Sequence, residues 1–137
     1  MQSQVKVTLH LNKLKLLEKL SGRSKVNYRQ RHCALLYSGN KLVAVGYNQL
    51  KSHPIAAIFQ RRLGCTYLHA EIDAIRRGLR LLDKKELSEC SLFVGRLTRQ
   101  GVLANSRPCE GCQRAIDHYG LKHVYYTNEA GLFEAFV

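Results

Sequence analysis

Short apolar runs alternate along the chain with polar, mostly basic, interruptions. Leu11, Leu14, Leu17 and Leu20 recur at helical spacing with lysines between them, and Ser21-Gly22 ends the run, which predicts a short amphipathic helix. Residues 23–31 form a basic connector that contains Tyr28. The runs His32–Tyr37 and Leu42–Tyr47 flank the turn signal Ser38-Gly39-Asn40 and predict a hairpin. Residues 48–66 show no clear period and read as a long loop, a feature often tied to function. Ile72, Ile75, Leu79 and Leu82 form the apolar stripe of a helix running from His69 to Leu82. Ser91–Leu97 reads as a strand and 99–107 as a loop. Pro108 suits the first turn of a helix that ends at Tyr119-Gly120. His123–Thr127 reads as a further strand, while 128–137 fits either a short helix or a strand.

This order gives an α/β domain: an antiparallel hairpin, then two strand–helix–strand units whose connections are long enough for parallel crossovers. The expected fold is a mixed sheet flanked by helices in three layers. Right-handed crossovers place both later helix N-termini beyond the strand C-terminal ends, where open α/β sheets bind ligands.

Composition narrows the class. With 137 residues, 45% hydrophobic and 23% charged, the chain reads as one globular domain over 1–137. No apolar run approaches the roughly 18 residues of a membrane span, and lysines interrupt the N-terminus where a signal peptide needs an apolar core. Five cysteines, an odd number, argue against a disulfide framework and for a reducing, cytoplasmic setting. The thiols are therefore candidates for metal binding or catalysis. The net charge is +12, and up to residue 70 there are 12 basic residues to a single acid, Glu18. A polyanion or a phosphate-bearing small molecule is the partner such a charge suggests, beside the plainer reading of a generally basic surface.

Four residues carry the chemistry. Cys109 and Cys112, spaced i, i+3, present both thiols on one side of the helix that follows Pro108, where the helix dipole favours thiolates. Two Cys and one His are a known three-ligand catalytic zinc set with an open fourth position. His69 opens the other helix aimed at the same edge, and Glu71 lies two residues on, placed to move a proton without ligating. Each part alone has a plainer meaning: a thioredoxin-like redox pair, a helix-start histidine, a first-turn acid. Together they spell His-x-Glu followed by Pro-Cys-x-x-Cys, the signature of zinc-dependent nucleobase deaminases.

At these residues the chain resembles the cytidine and deoxycytidylate deaminase superfamily. The matching stretches are His69-Ala70-Glu71-Ile72-Asp73-Ala74-Ile75 and Ser106-Arg107-Pro108-Cys109-Glu110-Gly111-Cys112, with lesser ones at Gly46-Tyr47-Asn48 and Val124-Tyr125-Tyr126-Thr127. The resemblance implies a mixed sheet flanked by helices, Zn2+ on His69, Cys109 and Cys112, and Glu71 as proton shuttle. It further implies that Asn48 contacts the base or sugar, that the Ala70 N–H donates to the base carbonyl, and that the Arg107 carbonyl accepts from the departing amine. The implied reaction is hydrolytic deamination, with water replacing the ring amine and ammonia leaving. Arg107 departs from the residues usual before the family's Pro-Cys, and its guanidinium is a candidate phosphate contact. Family members are often homo-oligomers.

The Tyr125-Tyr126 pair looks more like the cytosine-acting branch of the family than the tRNA-adenosine branch, which implies cytosine, with Tyr126 read as an aromatic wall beside the base. The expected substrate is cytosine in single-stranded nucleic acid, DNA or RNA. Tyr28, His53, Tyr67 and the basic groups of three loops would form a mixed basic and aromatic rim. The alternatives are a free nucleotide of the dCMP or cytidine type, an adenosine deaminase acting on tRNA, and a non-catalytic zinc module that binds nucleic acid.

Overall fold

In the computed structural model of the chain, residues 10–22, 31–60 and 67–136 are described. Residues 23–30 of the connector, with Tyr28, and Arg61, Arg62 and Cys65 lie outside them. Helix α1 (Leu11–Ser21) precedes the hairpin of β1 (Arg31–Ser38) and β2 (Lys41–Tyr47), whose turn uses Gly39 at φ +59°. Then come β3 (Gln49–Ser52), α2 (Pro54–Phe59), β4 (Tyr67–Leu68), α3 (Ala70–Gly78), α4 (Lys84–Ser88) and β5 (Ser91–Leu97). The chain ends with β6 (Leu103–Ala104), α5 (Glu110–His118), β7 (His123–Thr127) and β8 (Phe133–Ala135).

The main sheet runs β2-β1-β5-β7-β8, with β6 paired to the end of β5, and β3 and β4 form a separate two-stranded sheet. β5 and β7 pair in parallel, and the other ladders are antiparallel. The mixed sheet expected from the element order is therefore present. β2 and β5 run in the same direction but have β1 between them.

Strand β1 shows why three layers form. Cys33 to Tyr37 are all buried, as a strand covered on both faces requires. Ala34 and Leu36 face a cluster that includes Ile72 and Ile75 of α3 and Ala115 and Ile116 of α5. Cys33, Leu35 and Tyr37 face the other way, onto Leu14 and Leu17 of α1 and onto Phe93. At Gly46 on β2 the sheet and α3 touch backbone to backbone. A Cβ there would overlap the carbonyl of Ala70 and the nitrogen of Ala74, so only glycine lets the first turn of α3 lie this close.

Two expectations change, and the alternative left open for the tail is decided. The stretch 48–66 is not one loop, since it holds β3 and the six-residue α2, with Pro54 in its first turn. The helix expected to reach Leu82 stops at Gly78 and continues as turns, and α4 starts afresh on a capping box between Asp83 and Glu86. The tail forms a strand, β8, antiparallel to β7. Among the described residues no helix is long and apolar enough to cross a membrane.

Candidate metal centre and active site

Both later helices start with an unusual N-cap. His69 caps α3 and Cys109 caps α5, yet neither side chain makes a capping hydrogen bond. N-caps are normally Ser, Thr, Asp or Asn, which satisfy the orphan N–H groups. Here the two side chains turn toward each other. His69 Nδ1 lies 3.4 Å from Cys109 Sγ and 3.5 Å from Cys112 Sγ. Zinc with Zn–S near 2.3 Å and Zn–N near 2.0–2.1 Å in tetrahedral geometry needs N···S distances of about 3.6 Å. Among the described residues this is the cluster of ligand-type side chains compact enough for a metal, with all three donor atoms within 4.8 Å. A donor set of two thiols and one imidazole suits zinc.

The charges fit that purpose. A hydrogen bond from the Cys112 thiol, helped by His69, holds the exposed Cys109 thiol down at about 3. The same hydrogen bond, with burial, pushes Cys112 up. His69 is raised by its hydrogen bond to Cys109. The hydrogen bond and burial therefore favour negative charge on the exposed Cys109 over the buried Cys112. Glu71, in the first turn of α3, is 5% exposed, and burial pushes its carboxyl up.

Helix α5 starts where it does because of Ser106, a buried hydroxyl that donates to Val94 O at 3.0 Å and lies 2.9 Å from Thr127 Oγ1. These bonds staple Ser106, just ahead of the Arg107–Cys109 segment, to the middle of β5 and the end of β7. The helix begins at Glu110, so Pro108 precedes the cap and Cys109 is the cap itself. The α3 side is set by Asp73, which is fully buried. It accepts from the Tyr47 N–H at 3.0 Å, Gln49 Nε2 at 3.3 Å and Arg77 Nε at 3.2 Å. Arg76 Nη2 sits 2.8 Å from its other oxygen, a charge contact without hydrogen-bond alignment. Asp73 therefore grips both residues that flank Asn48.

A cavity of about 440 Å3 opens beside the triad. His69, Ala70, Glu71 and Cys109 form its floor, and Asn48, Gln49, His32, Tyr67, Ser106 and Arg107 are among its walls. Asn48 Oδ1 accepts from the His32 N–H at 3.0 Å, which fixes the amide. Asn48, Ala70 and Arg107 are thus brought to one space with His69, Glu71 and Cys109, while Cys112 lies buried behind them. His32 and Gln49 join them with no sequence signal beyond position near a strand end. Gln60 also reaches the triad, its Nε2 3.3 Å from His69 Nδ1.

Three expected contacts are not part of this wall as described. Tyr126 points into the core, 5% exposed, and its hydroxyl donates to Glu134 Oε2 at 2.6 Å. Strand parity puts it behind Arg107, whose guanidinium lies over the Tyr126 and Phe136 rings at 5.8 and 5.1 Å and donates to the Tyr126 hydroxyl. Tyr125 stacks on Phe93 on the opposite face, 5.1 Å between centroids. His53 is the N-cap of α2, its Nδ1 accepting from the Ile55 N–H at 3.2 Å. Tyr28 lies outside the described residues. Of the expected rim, Tyr67 and Arg107 line the cavity, while the half-buried Arg96, one of the basic groups read into that rim, donates to Asn105 O instead.

Fold, cap-position ligands and buried carboxyl together define a zinc-dependent hydrolytic deaminase. The chain belongs to the cytidine and deoxycytidylate deaminase family, whose zinc-binding region matches residues 9–128. In solved structures the fold is similar to that of the dCMP deaminase from the cyanophage S-TIM5. Its apo form aligns with a TM-score of 0.62 at 21% identity, covering 89% of this chain and 84% of that one. The same enzyme in complex with dCMP and dUMP aligns with a TM-score of 0.62 at 22% identity, covering 89% and 82%. Among curated protein sequences none matches the chain.

Proposed function

We propose that the protein deaminates the cytosine of a free nucleotide of the dCMP type to uracil. The observation that carries this reading is the cavity. It lies within the roughly 300–1,000 Å3 of small-ligand sites, and Arg107 lines it as an exposed cation. The family's activity on cytidine and deoxycytidylate, and the complex of the phage enzyme with dCMP and dUMP, support the same substrate class. His69, Cys109 and Cys112 would hold the zinc, which when bound would supply Lewis-acid activation of water.

The chain's own groups do the rest. Glu71 takes a proton from water and returns it to the ring nitrogen, a role that suits a carboxyl raised by burial. Ala70 N–H holds the base carbonyl, Asn48 the base or sugar, and the Arg107 carbonyl the departing amine. The Arg107 guanidinium pairs with the phosphate.

Cytosine in single-stranded nucleic acid is the second reading, favoured by the 12 basic residues to one acid up to residue 70 and by Tyr67, 47% exposed on the rim. A side-by-side assay on dCMP, cytidine, single-stranded DNA and RNA at two salt concentrations tests both. Turnover of dCMP is expected. Activity confined to polynucleotides and falling steeply with salt would establish the second reading instead.

A further inference from the structure

Gln60 ends α2. Its N–H donates to Ala56 O at 2.8 Å, and its extended backbone (φ −87°, ψ 108°) turns the chain out of the helix. The side chain is 8% exposed, a polar amide committed to the interior. Helix α5 makes the place for it. A Cβ on Gly111 would overlap the Gln60 Oε1 and Cδ, so the absence of a side chain at 111 leaves the slot the amide fills. Arg114, one turn further along α5, donates through Nε and Nη2 to Phe59 O at 2.9 and 2.6 Å, which ties the end of α2 to α5.

In that slot the Nε2 of Gln60 donates to Cys109 Sγ at 3.7 Å. Burying an amide costs a few kcal/mol unless it is satisfied, and the acceptor it meets is the sulfur at the N-cap of α5. The amide's polarity is consistent with this. Its oxygen end rests against Gly111, and its nitrogen end faces the sulfur and the His69 ring.

We propose that Gln60 is a positioning residue of the metal centre, holding the Cys109 thiolate by an amide N–H and thereby setting how strongly that sulfur donates to zinc. The inference rests on His69, Cys109 and Cys112 being the zinc ligands. Outer-shell partners of this kind orient the ligand and moderate its charge, and their loss typically lowers metal affinity or activity 10–100-fold. Withdrawing the N–H leaves a more electron-rich sulfur, which lowers the energy of its charge transfer to a metal, and frees that sulfur from its fixed orientation, which weakens metal binding.

The test uses the full chain with two changes that remove the contact by different routes. Gln60→Met deletes the donor at similar size, and Gly111→Ala keeps the glutamine but fills its slot. Zinc affinity is read by competition with a chromophoric chelator. The cobalt-substituted protein reports the sulfur directly through its thiolate-to-metal charge-transfer band, which a purely structural role would not move. Both variants are expected to bind zinc 10–100-fold more weakly and to shift that band to lower energy. Zinc affinity within threefold of the parent with an unmoved band would overturn the proposal. If Gln60→Met does not fold, Gly111→Ala decides alone by the same two readings. If the parent chain itself takes up neither zinc nor cobalt, the assignment of the ligands has failed, not the role of Gln60.

Discussion

Gly46→Ala should harm this protein through the contact of β2 with α3, and the reason can be worked from distances. The new Cβ would overlap the Ala70 carbonyl and the Ala74 nitrogen, and would sit 2.9 Å from Ala74 Cα, against 3.4–4 Å for ordinary contact. All three atoms are backbone, so no rotamer change relieves them and α3 must lift off the sheet. Overpacking of this kind costs about 1–3 kcal/mol. The upper end is expected here, since a helix rather than a side chain must yield. The control is Gly22→Ala, where φ is −63° and the nearest atom is 3.4 Å away. Such a position is neutral or stabilised by about 0.4–1 kcal/mol. Urea unfolding midpoints of the two variants, with zinc content measured alongside, give the contrast. Because α3 carries Ala70 and Glu71 and His69 caps it, Gly46→Ala should also lose zinc relative to the control. Equal midpoints and equal zinc content would refute the claim that this close approach builds the site.

Further outcomes follow from the same geometry. Asp73→Ala removes the buried partner of Arg76 and Arg77 and frees both residues flanking Asn48. It should cost about 3–5 kcal/mol and raise KM for dCMP more than it lowers kcat. Thr127→Val removes a hydroxyl that donates to Ala104 O at 2.7 Å and meets Ser106. That takes a donor from the Ala104 carbonyl, while Ser106 keeps Val94 O and the Thr127 N–H, at a cost of about 0.5–1.5 kcal/mol by thermal or urea unfolding. Cys109 is held down at about 3, so in metal-free protein its thiolate form persists as pH falls from 8 to 5. Its alkylation by iodoacetamide, followed by peptide mass mapping, should stay nearly flat over that range and be blocked by zinc. Cys33, pushed up to about 12 by burial, should not react. A Cys109 rate that drops about tenfold per pH unit, as for an ordinary thiol near 8.5, would contradict the assigned charge state.

The chemistry was legible in the sequence because it sits in short local spacings. His69 and Glu71 share the start of one helix, and Cys109 and Cys112 share the first turn of another, so each pair is oriented by helix geometry alone. What joins the pairs is the crossover topology, which the strand–helix–strand order implied. The substrate contacts were less legible, because strand parity and loop placement decide them. Tyr126 and Tyr125 face opposite sides of β7, and the sheet is buried on both, so neither is available as the expected wall. His53 looked like a rim residue and is an N-cap, a role Pro54 could have announced. Gln60 had no local signal, since its contact depends on how α2 docks on α5. The Asp83-to-Glu86 capping box that starts α4 was readable but masked by the apolar stripe running on to Leu82.

The account stands most directly on Glu71. Zinc stoichiometry and ammonia release from dCMP, measured together on the parent chain and on Glu71→Gln, separate metal binding from proton transfer. Both proteins should hold one zinc per chain, and the glutamine variant should release ammonia slower by about 10²–10⁴-fold. A zinc-loaded Glu71→Gln that works at the parent rate would contradict the assignment of Glu71 as the proton carrier.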